Sequence, residues 1–537
     1  MKRKLLLIRP KSFSIIYSNM KFISYLTKRK GGMLNVGLAV IAALTPLEFK
    51  VKIIDENLEP INFDEYYDMV GITAEFPNQL LRVKQIADEF RQRGILVVCG
   101  GPSVSVSPER WKEFADVLII GEAERIWPQF ISDYLNGSYG DEYLEVERFE
   151  LTNTPIPDYS GITPEILNQY FCGIVQTSRG CPFDCEFCNA IVYVGRKMRY
   201  KSPDKVLQEV KQLYKMGFRI MFIADDNFSA SRANAKNILT TLRDWNRSLK
   251  APMTFTAEVS IDIAKDEEFL ELATEAGLKS VLIGIETPNV KSLKETGKLQ
   301  NVQTNMIEDV KKFHEYGIMI TGTCVVGFDN DDLSIFQKQY DFFSKTGIAQ
   351  VAVVTLQALD GTRLKERMVK EGRYVEWENA CTKNPEYANH FNTFTIIPKQ
   401  MTIKQLQQGA FWLYWKLNNP INYANRIKIF FEDFENSPIK NKIKILKPRF
   451  GEISLGIIWR FFKYYLTDAS KEEKAALWQM FGYAWNSKLI HRFEIVISTF
   501  LASKNAREMI IVEEPQIDKI SYPIQEHNVL PKQKMIP

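Results

Sequence analysis

Two runs of alternating strand-like and helix-like segments, parted by a proline-marked break, constrain this chain more than any other feature. In the first run Leu5–Ile8, Lys50–Asp55, Met69–Thr73, Ile95–Cys99 and Val117–Ile120 read as strands, and Leu34–Leu44, Leu80–Arg93 and Trp127–Leu135 as helices. Alternation of this kind predicts a parallel sheet covered on both faces, with ligands beyond the carboxyl ends of the strands. The second run reads as strands at Gly173–Thr177, Arg219–Ala224, Thr254–Val259, Ser280–Ile285, Met319–Val326 and Val351–Leu356. Six strands with helices between them predict a partial (β/α)6 barrel whose site lies where strands give way to loops. Residues 141–170 contain Thr154-Pro-Ile-Pro-Asp158, carry little periodicity and read as a linker. Beyond residue 375 the alternation stops; Thr402–Asn418 and Leu455–Leu466 read as aromatic-rich helices. The expected class is therefore α/β. A Rossmann-like domain at 1–140 and the linker at 141–170 precede a barrel at 171–375, a mainly helical domain at 376–512 and a poorly ordered tail at 513–537.

Composition removes several function classes. The 537 residues carry 69 basic and 65 acidic side chains, a net charge of +4, which gives no reason to expect nucleic-acid binding. The apolar run Leu5–Ile8 is too short for a secretion signal, and no stretch approaches the roughly 18–20 apolar residues of a membrane-spanning helix, so a cytoplasmic protein is expected. Seven cysteines in such a chain are not a disulfide framework. Three of them fall in Ser178-Arg-Gly-Cys181-Pro-Phe-Asp-Cys185-Glu-Phe-Cys188-Asn. A compact CxxxCxxC loop can wrap three thiolates around one iron–sulfur cluster, for which thiolates are the matching soft ligands. Four irons held by three cysteines leave one iron open for chemistry. Zinc is the plainer alternative, but zinc usually takes a fourth Cys or His at matching spacing, and the four histidines lie far off in sequence.

The stretch from Val175 to Gly217 resembles the radical S-adenosylmethionine (SAM) superfamily, whose 4Fe–4S cluster sits in this loop at the first βα turn. The resemblance implies that Cys181, Cys185 and Cys188 ligate the cluster and that Phe187 lies beside the adenine of SAM. It further implies that the open iron chelates SAM and that reductive cleavage yields a 5′-deoxyadenosyl radical. Later segments match in order. Phe222-Ile-Ala-Asp225-Asp-Asn227-Phe228 resembles the segment contacting the SAM amino group, Thr256-Ala-Glu258-Val-Ser260 a ribose or carboxylate contact, and Gly284-Ile-Glu286-Thr a further SAM contact. For each of these alone, an acid at a strand end is more often a solvated turn or helix cap.

Residues 1–140 resemble the cobalamin-binding domain that precedes many radical SAM domains. The matching segments are Val36-Gly-Leu38, Ile54-Asp-Glu56, Val70-Gly-Ile-Thr73, Val97-Val-Cys-Gly100-Gly101-Pro102 and Ile119-Ile-Gly121-Glu122-Ala-Glu124. The glycine pair lets backbone approach a ligand closely, and Ser103 and Ser105 are placed to donate to the cofactor's tail. Thr73, Glu75, Gly100, Gly101, Ser103, Gly121 and Glu122 are the expected cobalamin contacts. No histidine precedes His314, so the Asp-x-His-x-x-Gly ligation of cobalt is excluded, and Thr73–Phe76 is the segment to inspect. A degenerate domain that no longer binds cobalamin is the alternative.

Val326-Gly-Phe-Asp329-Asn-Asp-Asp332 and Leu356-Gln-Ala-Leu-Asp360-Gly-Thr362-Arg-Leu364 resemble a narrower branch that includes the hopanoid methylases. Asp329–Asp332 looks metal-like, but a solvated acidic loop is the better reading. Phe411-Trp-Leu-Tyr-Trp415 and Ile457-Ile-Trp-Arg-Phe-Phe-Lys-Tyr-Tyr465 fit an apolar substrate pocket or a membrane surface, with a buried helix face the commoner explanation. The resemblance implies cobalamin-dependent methylation of an unactivated carbon on a small-molecule or peptide substrate, tilted toward an apolar one, with flavodoxin or ferredoxin as electron donor. Another radical outcome (cyclisation, oxidation, rearrangement) and a cobalamin-binding sensor or carrier without turnover remain the alternatives.

Overall fold

Apolar, β-branched runs followed by helices long enough to cross back over them pair in parallel. In the computed structural model of this chain, which describes residues 2–11, 21–380, 393–446, 455–513 and 520–522, both runs do so. The N-terminal sheet has the spatial order Phe49–Asp55, Arg3–Arg9, Met69–Thr73, Leu96–Gly100, Val117–Ile120, Glu142–Leu144, parallel throughout. The strand order reverses between Arg3–Arg9 and Met69–Thr73, so a crevice opens beyond their carboxyl ends.

The second sheet runs Gly31–Met33, Tyr170–Val175, Ile220–Ile223, Thr254–Glu258, Leu278–Glu286, Met319–Val326, Gln350–Thr355, also parallel. The last six are the predicted barrel strands. Their outward side chains, such as Val281, Ile283, Ile285 and Ala257, are fully buried beneath the helices. Helix ends are fixed by local chemistry: Ser202 caps Pro203–Lys215, Asp266 caps Glu267–Ala276, and Gly277 closes the latter in the left-handed conformation.

Two short pieces depart from the expected division. Gly31–Met33 leaves the N-terminal region to become the edge strand of the barrel sheet, and Lys21–Thr27 packs on the C-terminal helices Leu455–Thr467 and Arg492–Glu513. Glu142–Leu144, inside the expected linker, is the sixth strand of the first sheet. Three-residue strands are too short to show a period, which is why the sequence hides them. The helical domain follows as Ile403–Leu417, Pro420–Glu435, Leu455–Thr467, Lys471–Asn486 and Arg492–Glu513. Buried Arg426 ties it to the barrel, donating to the carbonyls of Ile348 (2.9 Å) and Ala349 (3.1 Å) just before the last strand. The tail expected to be poorly ordered lies mostly outside the described residues.

The two α/β units are latched by buried charge. Glu122, just past the strand Val117–Ile120, accepts from Arg179 at 3.0 Å and from Arg199 at 2.7 Å, and Glu124 accepts from Arg179 at 2.6 Å. Burial pushes the Glu122 carboxyl up, but the Arg199 and Arg179 guanidiniums override it and hold it below the usual range. Breaking a buried pair strands the remaining charge, at a cost of about 3 kcal/mol or more. We therefore expect Arg199→Met to lower the denaturation midpoint, and Arg199→Met with Glu122→Gln to recover part of the loss; equal midpoints for the single and double variants in urea unfolding would refute the latch.

Candidate active site

The first barrel strand ends at Val175, and Thr177 to Gly180 lead into the cysteine loop. Asp225, at the end of the second strand, is buried and takes four hydrogen bonds from that stem. They come from Thr177 N (2.6 Å), Thr177 Oγ1 (2.5 Å), Ser178 N (3.0 Å) and Ser178 Oγ (2.7 Å). Both carboxylate oxygens are thereby occupied, so Asp225 positions the loop rather than standing open to a ligand. Gly180 has φ +100°, and a Cβ there would lie 2.5 Å from the Lys197 carbonyl, so only glycine makes this turn. Its amide donates to Asp226 at 3.3 Å.

The loop is gripped from outside as well. Glu186 N donates to the Thr296 carbonyl (2.9 Å), and a Cβ on Gly297 would lie 2.9 Å from the Asp184 carbonyl. The Glu186 carboxylate accepts from Arg367 at 2.7 Å, and the same guanidinium reaches Asp329 at 2.7 Å. Asp329 also pairs with Arg373 (2.6 Å) and Lys399 (2.8 Å). Although burial opposes it, these three cations hold the Asp329 carboxyl far below the usual range. The acidic loop is thus neither a metal site nor a solvated turn: Asp329 is an ion-pair hub supporting the cysteine loop, and buried Asp331 accepts from Gly327 N, Phe328 N and Ser292 Oγ.

Burial pushes the Cys181 thiol up to about 11 and Cys188 upward, and the neighbouring thiols add to both shifts. Among the described residues no three His, Cys, Asp or Glu side chains gather at the spacing of a single metal ion. Three neighbouring thiols, one buried and two half-buried, fit a larger cationic body such as a 4Fe–4S cluster, which would hold them deprotonated. Gln300 Nε2 donates toward Cys185 Sγ at 3.9 Å. Lys298 stands close by. Burial would lower it, but Glu286 and the thiols of Cys185 and Cys188 keep its ammonium above the usual range.

The remaining expected SAM contacts divide. Asn227 donates to Ser260 Oγ (2.6 Å) and accepts from Ser229 Oγ (2.9 Å), a knot that joins the ends of the second and third strands. Glu286 accepts from Lys298 Nζ (2.8 Å) and Thr323 Oγ1 (3.0 Å). It sits at φ +62°, an uncommon conformation for a glutamate that the surrounding bonds must enforce. Phe187 packs tilted against Phe328 with centroids 6.2 Å apart. Glu258 and Asp226 remain, near enough for the charge of Asp226 to act on Glu258. Burial, then the charge of Asp226, pushes Glu258 up to about 7; burial, then Asp225, pushes Asp226 up to about 6. Two crowded carboxylates are relieved by a cation, and SAM carries an ammonium and a sulfonium. Asp226 was not singled out in the sequence; its position beside Asp225 in a strand-end pair, pointing the other way, is the signal that marks it.

Thr73, Glu75, Gly100, Gly101, Ser103, Gly121 and Glu122 all line one cavity of about 850 Å³ between the two α/β units, within the range small ligands fill. Gly101 (φ +109°) and Gly121 (φ +105°) keep its wall bare: a Cβ would come within 2.8 Å of the Ala74 carbonyl at the first and 2.5 Å of Glu145 at the second. Ser105 cross-ties them, donating to Gly101 O and accepting from Gly121 N, both 2.9 Å, so its hydroxyl is occupied rather than offered to a ligand. Glu122 likewise serves the latch described above. Glu75 is held by Arg9 at 3.0 Å and by Asn35 at 2.5 Å. On the barrel side the wall is Gln176, Arg179, Asn189, Tyr193, Phe222 and Ala224. Asn189 follows Cys188 directly and Tyr193 lies five residues on, so the cavity reaches the cysteine loop. Tyr193 is a residue the sequence did not flag. Bare backbone, a shielded wall and contact with the loop fit cobalamin held within reach of the cluster.

Only the ionised form of Glu258 attracts a cation, so SAM affinity should rise from pH 6 to pH 8 as the carboxyl titrates near 7. Glu258→Gln should flatten that rise and raise the SAM Kd about tenfold, the scale of one hydrogen bond to a charged group, while iron and sulfide content stay at wild-type levels. Isothermal titration on the reconstituted protein reads both quantities.

Comparison with known proteins agrees with this geometry. Residues 175–343 match the radical SAM superfamily model, 24–131 the B12 binding domain and 362–511 a domain of unknown function, DUF4070. The chain is 32% identical over 395 residues to an uncharacterised methyltransferase of Synechocystis, covering 73% of this chain and 72% of that one. It is 31% identical to the hopanoid C-2 methylase of Rhodopseudomonas palustris, over 64% of this chain and 66% of the methylase. The fold is similar to the radical SAM methyltransferase TsrM of Kitasatospora setae, solved with cobalamin and a [4Fe-4S] cluster (TM-score 0.58, 16% identity, 82% of this chain and 99% of that one). It is also similar to the cobalamin-dependent radical SAM enzyme OxsB (TM-score 0.60, 14% identity, 96% and 80%). The chain belongs to the family of radical SAM enzymes that carry an N-terminal B12-binding domain, with a 4Fe–4S cluster, S-adenosylmethionine and cobalamin as its cofactors.

Proposed function

We propose that this enzyme is a C-methylase acting on an unactivated carbon of a small, largely apolar molecule. The observation that carries the reading is the single cavity shared by the glycine turns of the B12 domain and the residues directly after Cys188. When bound, the cluster and SAM supply hydrogen abstraction, and cobalamin supplies the methyl group; the protein supplies position and exclusion. Arg179 stands two residues before Cys181 and is paired to Glu122 and Glu124, so the cavity wall and the cysteine loop share one rigid support. Fixed spacing between reacting centres is what such a transfer requires. Glu258 and Asp226 orient the SAM cation, and Phe187 with Phe328, Val325 and Leu356 forms an apolar cluster on the loop's flank that sheds water.

Other radical outcomes need the same parts. An anaerobic magnesium-protoporphyrin IX monomethyl ester cyclase of Synechocystis is 27% identical, but over 29% of this chain. Methylthiotransfer is disfavoured because the first 140 residues hold one cysteine, Cys99, and it is buried. A sensor or carrier without turnover is disfavoured by the complete cysteine set and the supports built around it. Among the described residues no helix is long and apolar enough to cross a membrane. We place the enzyme in the cytoplasm with a flavodoxin or ferredoxin as electron donor.

Anaerobic reconstitution with iron, sulfide and hydroxocobalamin, followed by reduction with SAM, tests the reading. We expect 5′-deoxyadenosine from the wild type, none from Cys181→Ala/Cys185→Ala/Cys188→Ala, and cobalamin retained by both after desalting. A product heavier by one CH₂ supports methylation. Deoxyadenosine without retained cobalamin, or a product of unchanged carbon count, would overturn it.

A further inference from the structure

A second large cavity, about 1070 Å³, lies at the opposite end of the barrel, where the strands begin. Its floor is the lumen side of Thr254, Thr256, Ser280, Thr321 and Gln350, and its walls are Phe461, Tyr465, Leu477, Phe481 and Ile495 of the C-terminal helices. Closed (β/α) barrels fill this space with bulky side chains. Here the lumen side of the last four strands is mostly small or polar and partly exposed, at Thr254, Thr256 and Glu258; Ser280, Leu282 and Gly284; Thr321 and Thr323; Gln350, Ala352 and Val354, while the first two strands place Phe171 and Ile220 at the cavity. Glu258 and Glu286 lie further along the same strands, roughly 20 Å from the cavity floor at ~3.3 Å per residue between Ser280 and Glu286, with the Lys298–Glu286 pair beside Gly284 at that end.

Buried His491 lines the cavity, and neither ring nitrogen makes a hydrogen bond of good geometry, although the Gly317 backbone lies close. Beside the polar floor, this buried imidazole offers a contact for one polar group of a ligand. The mouth is aromatic and basic. Phe462 and Trp478 line the cavity yet are 58% and 68% exposed, and Trp459, Leu466 and Trp485 of the same two helices are exposed as well. Lys463 lies over the Trp459 ring at 5.5 Å. The run Lys28-Arg29-Lys30 follows the helix Lys21–Thr27, which is pinned to the same rim by the bond from Arg460 Nε to the Leu26 carbonyl (2.7 Å). Exposed tryptophan and phenylalanine flanked by lysine and arginine suit the interface of an anionic bilayer. The buried-face reading thus holds for Phe411–Tyr414 and fails for Trp459 and Phe462.

We propose that this cavity is the uptake and binding chamber for a membrane-borne lipid with one polar end, drawn from an anionic bilayer through the aromatic rim, its apolar body extending through the barrel lumen toward the cluster. The inference rests on the reading of the enzyme as a methylase of an apolar substrate, and names the substrate class. The test uses the full-length reconstituted protein and no turnover. In vesicle flotation, we expect binding to phosphatidylglycerol–phosphatidylcholine vesicles at least tenfold stronger than to phosphatidylcholine alone. Trp459→Ser/Phe462→Ser/Trp478→Ser and Lys28→Glu/Lys30→Glu should each lose that binding with cluster and cobalamin content unchanged. Thr321→Trp, which fills the chamber, should still float but no longer take up a fluorescent sterol from the vesicles, seen as loss of tryptophan-to-sterol energy transfer. Wild-type protein that ignores anionic vesicles, a stable dimer that covers the rim, or sterol uptake undiminished by Thr321→Trp would each overturn the chamber. None of these outcomes bears on whether the enzyme cleaves SAM or transfers a methyl group, so the two readings fail separately.

Discussion

The buried charges at Glu122, Arg179 and Arg199 are the constraint on which the rest of the molecule depends. Separate α/β units joined by a linker would ordinarily move against each other. Here a carboxylate at the end of one sheet's strand is taken out of water and neutralised by two guanidiniums of the other unit. Such a group tolerates no half-open state, because separation without full hydration leaves charge uncompensated. The B12-side glycine turns and the cysteine loop are consequently parts of one rigid wall. Arg179 belongs to the stem that Asp225 clamps, so the domain latch and the loop anchor act on neighbouring residues.

How far this was legible in the sequence depends on the range of the interaction. The barrel strands and the CxxxCxxC loop announce themselves because periodicity and ligand spacing are local properties. The partners of Asp225 and Glu122 lie 47–48 and 57–77 positions away. An acid at a strand end looks the same in sequence whether it faces a ligand, a backbone amide or an arginine. Asp225 and Glu122 both serve the scaffold, Glu122 while also lining the cavity, and Asp226, which accepts from Gly180 N in the cysteine loop, carries no sequence signal of its own. The cobalamin-side glycines were readable because their requirement is steric: at Gly101 and Gly121 any side chain meets neighbouring atoms whatever the cavity holds.

The aromatic helices show the same limit in another form. Periodicity says that Ile403–Leu417 and Leu455–Thr467 each have an apolar face, but not whether a partner covers it. The first is clasped so closely on Ile335–Thr346 that a Cβ at Gly409 would strike the Phe336 ring. The second has the barrel mouth on one side and solvent on the other, so Phe461 is buried while Phe462 and Trp459 stand out.

A barrel whose later strands carry threonine, serine and glycine on the lumen side gives up part of the interior packing that stabilises closed barrels, and it must recover that stability elsewhere. Outward burial against the helices supplies part. The helical domain supplies more, because its helices close the end that the lumen side chains leave open, and Arg426 fastens it to the carbonyls that precede the last strand. Partly exposed lumen positions above a large cavity, retained at that cost, suit a binding chamber. With the SAM-facing carboxylates at one end and an aromatic rim at the other, the barrel has the shape required when the carbon to be modified sits deep inside an elongated apolar molecule: its length is accommodated along the strands, and its reacting carbon is delivered to the end where the cofactors meet.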